Sequence, residues 1–193
     1  MRLIERSILL VAALAACTVP ASQPIHVQTD VGAFDLHGGI VKPLQQPEGQ
    51  KGVVLVFIAT DCPISNGYAP LVGELARAAA AHHVGFFTVY ADDSLSAADA
   101  QSHHDAYGYP CDALLDPRRA LAHAVGATVT PEALVILPDG MLAYRGRIDN
   151  QYASIGHKRY AATTHELKDV IDALSTGANI TTVWQPAVGC AIH

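Results

Sequence analysis

The chain has 193 residues, half of them apolar, with a formal net charge of -6. That length suits one domain with extensions, and the apolar share supports a packed core. The acidic balance argues against a nucleic-acid surface.

The first residues read as an address rather than as fold. Arg2 and Arg6 make a short basic start, and Ile8 to Ala16 is an apolar run too short to cross a bilayer. The run ends in "LAAC", Leu14 to Cys17, which resembles the lipobox of bacterial lipoproteins. That resemblance implies a signal peptide over 1–16 and lipidation at Cys17. Thr18 after it implies outer-membrane sorting, with the protein anchored to the bilayer and facing the periplasm. An ordinary signal peptide cut near Ala16 is the alternative. Residues 17–30 read as a tether, 31–176 as the folded domain and 177–193 as a tail. In an oxidising compartment Cys62, Cys111 and Cys190 then allow one disulfide and one leftover thiol.

Val53 to Ile58 ("VVLVFI") is a continuous β-branched and aromatic run, expected as a central strand buried on both faces. Pro63 suits the first turn of the following helix, with Leu71, Leu75 and Ala79 at helical spacing. Val84 to Ala91 reads as a parallel partner strand, completing a βαβ unit. Ser96 and Asp99 form a capping box for a helix reaching about Tyr107. Asp116 and Pro117 read as the N-cap and first turn of another helix, closed by Gly126. "EALVILPDGMLAYRG" is two strands around a Pro138-Asp139-Gly140 turn. Thr163 and Glu166 read as a second capping box. After them Leu167, Val170, Ile171 and Leu174 give one apolar stripe up to Gly177. This order predicts an α/β fold, a mixed central sheet with helices on both faces.

Cys62 falls at the carboxyl end of the central strand and at a helix start. Free N–H groups and the helix dipole there favour thiolate over thiol. Asp61 opposes this, since a nearby carboxylate raises a thiol. Plain burial of a small residue is the alternative. Thr130-Pro131 precedes a sheet strand, where a proline needs a reason; a cis peptide is one and an edge-strand start is the other.

With "TDCPISNGYAP", "TPEALVILPDG" and "RID" in view, the chain resembles the thioredoxin-fold redoxins related to alkyl hydroperoxide reductase and the thiol-specific antioxidants. The resemblance covers roughly Phe34 to Leu174, and "VGC" near the end fits the same subgroup. It implies a thioredoxin-like fold, with Cys62 as the active-site cysteine. Pro70 would kink the first helix. Pro131 would be the cis-proline facing the cysteine, with Thr130 before it. Several positions depart from the family patterns. Ser65 stands where thioredoxin has its second cysteine, Asp61 for its tryptophan and Val56 for its buried acid. Ala59 replaces the peroxiredoxin threonine.

Cys190 is the candidate to replace the missing partner, with Gly189 giving the tail flexibility to reach the site. A structural bond from Cys190 to Cys111 is equally open, and Cys111 otherwise reads as buried. Arg147 could hold a thiolate or peroxide oxygen, or could be an ordinary ion pair with Asp149 nearby. Glu132 could be a site acid or merely solvated.

The resemblance thus implies a thiol-based oxidoreductase without a cofactor. Its partners would be a disulfide-bearing protein or a hydroperoxide, and an external thiol reductant. A peroxiredoxin-like hydroperoxide reductase is one alternative. Another is a Sco-like copper carrier using Cys62, Cys190 and His165 or His193. The adjacent pairs His82-His83 and His103-His104 are not chelating helix pairs. A third alternative is a non-enzymatic lipoprotein adaptor.

Overall fold

The computed structural model describes residues 24–193. The expected signal peptide, Cys17 and the start of the tether lie outside the described residues.

The first strands are β1 (Ala33–Asp35), β2 (Ile40–Val41) and β3 (Gly52–Ile58). Helix α1 (Pro63–Ala81), β4 (Val84–Tyr90), α2 (Ala97–Tyr107) and β5 (Asp112–Leu115) follow. Then come α3 (Ala120–Val125), β6 (Val129–Thr130), β7 (Glu132–Ile136) and β8 (Leu142–Gly146). The chain ends with β9 (Tyr152–Ser154), β10 (His157–Lys158), α4 (Glu166–Thr176) and β11 (Cys190–Ala191). One seven-stranded sheet runs β2-β1-β5-β4-β3-β7-β8. β3 pairs parallel with β4 and antiparallel with β7, so the sheet is mixed.

β3 is buried from end to end because both faces of the sheet are covered. Val54, Val56 and Ile58 pack with α1, α2 and α4 through Val72, Ala100 and Leu167. Val53, Leu55 and Phe57 pack on the other face with Leu121 and Val125 of α3. A strand's two-residue period divides one apolar run between two cores. The expected architecture is the one observed.

Local signals hold where they are self-contained. Pro63 opens α1, and Pro70 lies inside that helix. The Ser96 hydroxyl accepts the Asp99 N–H and donates to the Asp99 carboxylate. Gly126 and Gly177 end α3 and α4 in left-handed conformation.

Two expected caps are displaced. α3 starts after Arg119, which has a positive φ of 56°, rather than at Asp116. The Asp116 carboxylate instead accepts the Ala122 N–H at 2.8 Å, so it anchors the helix from a turn upstream. α4 starts after His165, and Thr163 is not its cap. The Thr163 hydroxyl accepts from the Asn150 amide, while Glu166 bonds Thr164 and Arg147. Asp116 thus still caps α3, from outside its first turn through the Ala122 N–H, whereas Asn150 takes Thr163 away from α4. Part of the expected tether is also held. His26 bridges to Met141, and the Leu142 N–H donates to the Ile25 carbonyl at 2.8 Å. Among the described residues no helix is long and apolar enough to cross a membrane.

Candidate thiol site

Three separate elements meet at Cys62. β3 delivers it at its carboxyl end, and α1 begins immediately after it, so Cys62 is the N-cap residue. Its side chain is completely buried. β6 supplies Thr130, whose peptide bond to Pro131 is cis. In the thiol form Cys62 donates to the Thr130 carbonyl at 3.1 Å. The tail supplies Cys190, whose Sγ lies 3.1 Å from Cys62 Sγ. That separation exceeds the ~2.05 Å of a disulfide, and both sulfurs are free thiols.

The two thiols are pushed in opposite directions. Burial alone raises Cys62, but it is outweighed by the Ser65 N–H, the Cys190 thiol, the Ser65 hydroxyl and the Cys190 N–H. The net shift is downward, because donors aimed at a sulfur favour its anion. The Ser65 hydroxyl is buried and makes no hydrogen bond in the thiol form. Ser65 therefore places an unpartnered donor where thioredoxin has its second cysteine, free to turn to the thiolate. Cys190 is raised to about 11, first by donating to Cys62, then by desolvation and by the charges of Cys62 and Asp61. Asp61 thus bears on Cys190, where the sequence suggested Cys62. The pair is thus matched, with Cys62 the sulfur that ionises more readily and Cys190 the one that keeps its proton.

Tail placement depends on more than the thiol. β11 pairs antiparallel with β6, with Cys190 opposite Thr130 and Ala191 opposite Val129. Gly189 is not a flexible hinge there. A Cβ on it would stand 2.5 Å from the Thr130 carbonyl carbon, so glycine permits a close backbone approach. Upstream, the Trp184 indole N–H donates to the Ala143 carbonyl at 3.1 Å, and Arg145 lies over its ring. A cleft of about 340 Å³, lined in part by Ala59, Asp61, Asp92, Cys190 and His193, opens beside the exposed thiol. The larger groove, about 750 Å³, lies between β8 and the end of α4 and contains no cysteine.

The remaining candidates act at a distance or not at all. The Glu132 carboxylate accepts the Thr128 N–H at 2.7 Å and lies 3.8 Å from Arg145. It is thus neither solvated nor an acid at the sulfur; it braces the loop that carries Thr130. Arg147 is committed to Glu166 and Thr164, and Asp149 accepts from Tyr68. Cys111 lines a different cleft with His104, and burial pushes it up to about 11. It does not meet Cys190, so the structure brings Cys62 and Cys190 together and leaves Cys111 apart. Among the described residues no three His, Cys, Asp or Glu side chains are grouped to hold a metal ion.

One set of supporting residues had no sequence signal. Asn66, one turn beyond Cys62, donates to the Thr60 carbonyl at 2.9 Å and meets His103 Nε2 at 2.9 Å. His103 Nδ1 meets the Tyr90 hydroxyl at 2.8 Å. Burial lowers His103, so the neutral ring accepts from Tyr90 and donates to Asn66. The chain of bonds ties α2 to the loop before Cys62. Its members are remote in sequence, and only the fold assembles them.

Comparison with known proteins agrees with this architecture. A hypothetical protein from Sinorhizobium meliloti superposes with a TM-score of 0.73 at 20% identity, covering 89% of this chain and 95% of that one. An uncharacterised conserved protein from Geobacillus kaustophilus gives 0.71 at 20% identity, over 93% and 97% of the two chains. A secreted Mycobacterium tuberculosis disulfide oxidoreductase homologous to E. coli DsbE gives 0.53 at 18% identity, over 77% and 96%. These likenesses establish the thioredoxin-like fold. No curated protein matches the chain by sequence. Residues 26–145 match the AhpC/TSA family, and the chain belongs to that family, a thioredoxin-fold redoxin.

Proposed function

We propose that the protein is a lipid-anchored periplasmic thiol oxidoreductase in which Cys62 attacks and Cys190 resolves. The observation that carries this reading is the 3.1 Å approach of the two sulfurs, with Cys62 lowered and Cys190 raised. The thiol that ionises more readily is the attacking group, and the one that keeps its proton is held as its partner. The Thr130 carbonyl, directly before the cis-proline Pro131, accepts from the Cys62 thiol.

The substrate is a disulfide or a hydroperoxide. With a disulfide, the Cys62 thiolate forms a mixed disulfide and expels one thiolate, which takes up a proton. Cys190 then attacks Cys62 Sγ and releases the second thiol. With a hydroperoxide, Cys62 takes the terminal oxygen to become a sulfenic acid, and an alcohol leaves. Cys190 condenses with the sulfenic acid, and water leaves. Either path ends in a Cys62–Cys190 disulfide, returned to two thiols by an outside dithiol reductant. Complete burial of Cys62 under the tail favours the hydroperoxide, which is small enough to enter. Anchoring is proposed through Cys17, in the outer membrane facing the periplasm, from the "LAAC" motif.

The test is consumption of hydrogen peroxide by the full chain with excess dithiol. Turnover is expected for the natural protein and none for Cys62→Ser. A Cys62→Ser variant with unchanged turnover refutes the role of Cys62. Anchoring is tested separately by palmitate incorporation in a bacterial host. It should disappear in Cys17→Ser; persistence in that variant, or no incorporation in either protein, contradicts it.

A further inference from the structure

The turn between β3 and α1 is held at both ends by Asn66. Its side-chain amide donates to the Thr60 carbonyl at 2.9 Å, and its backbone N–H donates to the Cys62 carbonyl at 3.0 Å. Only the exposed Asp61 lies between those two points. The turn decides where the Cys62 sulfur stands. Cys62 is the N-cap of α1, where the Ser65 N–H works against burial to favour the anion of that sulfur.

The sense of the Asn66 amide is fixed from outside the turn. A carbonyl only accepts, so Asn66 must present Nδ2 to Thr60 and Oδ1 to its other side. There His103 Nε2 stands 2.9 Å away, and it must carry a proton. In the neutral ring Nδ1 is then the acceptor, and the Tyr90 hydroxyl donates to it at 2.8 Å. Donors thus point one way, from Tyr90 through His103 and Asn66 to Thr60. The opposite tautomer would turn the amide over and set two oxygens against each other at Thr60. The His103 ring is also held in place. Tyr107 and Tyr109 lie beside it at 4.6 and 6.3 Å between centroids, and Tyr90 meets it edge-on at 5.6 Å. Tyr90 is completely buried, which closes its hydroxyl to bulk water.

We propose that His103 is a positioning residue for Cys62, acting through Asn66. It fixes the sense of the Asn66 amide, and the amide holds the Thr60–Cys62 turn in the form that sets the sulfur at the α1 N-terminus. His103 bonds to Tyr90 and Asn66 and to neither thiol, so its effect travels through the turn. This rests on Cys62 being the attacking thiol. A sulfur that drifts from the Ser65 N–H loses a donor to its anion, so loss of the His103 bond is read as an upward move of the Cys62 titration midpoint.

The experiment compares His103→Asn with His103→Gln in the reduced full chain. Glutamine carries an amide N–H to the place of Nε2 and still donates to Asn66. Asparagine is shorter, ends near the place of Nδ1 and leaves Asn66 Oδ1 without its donor. Iodoacetamide modification of Cys62 is followed by peptide mapping across pH, beside urea unfolding of each protein. His103→Asn is expected to raise the Cys62 midpoint by about one pH unit, or about tenfold less thiolate at a pH below it. His103→Gln is expected to stay within about 0.3 of the natural protein. A role in packing alone would weaken unfolding in both variants and leave both midpoints in place. That result, or an equal shift in the two variants, overturns the proposal. If His103→Asn does not fold, Asn66→Ser breaks the same chain one bond further on and should raise the midpoint alike. An unchanged midpoint there removes the route from His103 to the sulfur and overturns the proposal. The natural protein separates the two readings. If its Cys62 midpoint is not below that of a free cysteine peptide, the attacking-thiol reading falls. If it is below and the variants match it, the role of His103 alone is refuted.

Discussion

Cys190 and Cys62 stand 128 positions apart in sequence, yet their sulfurs approach to 3.1 Å across the cis Thr130-Pro131 bond. The contact is made by strand pairing, not by chance proximity of two thiols. Cys190 is opposite Thr130 in the β6–β11 ladder, and Thr130 accepts from Cys62. Backbone register thus carries one sulfur to the other.

The pH dependence follows from the opposed shifts. Cys62 is lowered, so its alkylation by iodoacetamide should titrate with a midpoint below that of an ordinary thiol and be lost as pH falls through that midpoint. Between that midpoint and the ordinary thiol value the unfolded chain holds the extra proton, so the reduced protein gains stability as pH rises. Cys190, raised to about 11, contributes in the opposite sense. Its share is full below the ordinary thiol value and is lost as pH rises through about 11. Ser65→Ala removes a hydroxyl that favours the thiolate and should move the Cys62 midpoint upward. An unchanged midpoint in that variant would show that the hydroxyl does not act on the sulfur.

Glu132 should matter to the site through the loop it braces. Glu132→Ala removes the buried carboxylate that accepts the Thr128 N–H at 2.7 Å. The expected loss is about 1–3 kcal/mol in urea unfolding, with faster alkylation of Cys62 as the β6–β11 pairing loosens. Unchanged unfolding and alkylation would remove Glu132 from this role.

Leu167 is fully buried where α4 packs on the sheet. Leu167→Ala should cost about 2–5 kcal/mol in the same unfolding experiment. A cost near zero would mean that α4 does not dock as described.

Much of this was legible in the sequence because the signals are local. The apolar run before Cys62, Pro63 after it and the Thr130-Pro131 step each declare their place within a few residues. Ser96 with Asp99 names its cap for the same reason. The failures differ in cause. Asp116 does cap α3, but the left-handed turn at Arg119 shifts the helix start downstream of it, whereas Thr163 loses its side chain to Asn150 through the fold. Strands as short as β6 and β11 have no readable period. The sequence offered Cys190 as a partner for Cys62 or for Cys111, and only the ladder register distinguishes them. Gly189 looked like a hinge, because a close backbone approach from a remote segment leaves no trace in its neighbours. The link from Asn66 through His103 to Tyr90 is equally non-local.

The central claim is that Cys62 and Cys190 form one redox pair. The most direct measurement is disulfide mapping of the full chain after one equivalent of hydrogen peroxide, with alkylation of remaining thiols before digestion. The account predicts a Cys62–Cys190 cross-linked peptide, with Cys111 recovered as an alkylated thiol outside any disulfide. A Cys111–Cys190 cross-link, or a Cys62 that remains an unmodified thiol, would contradict it.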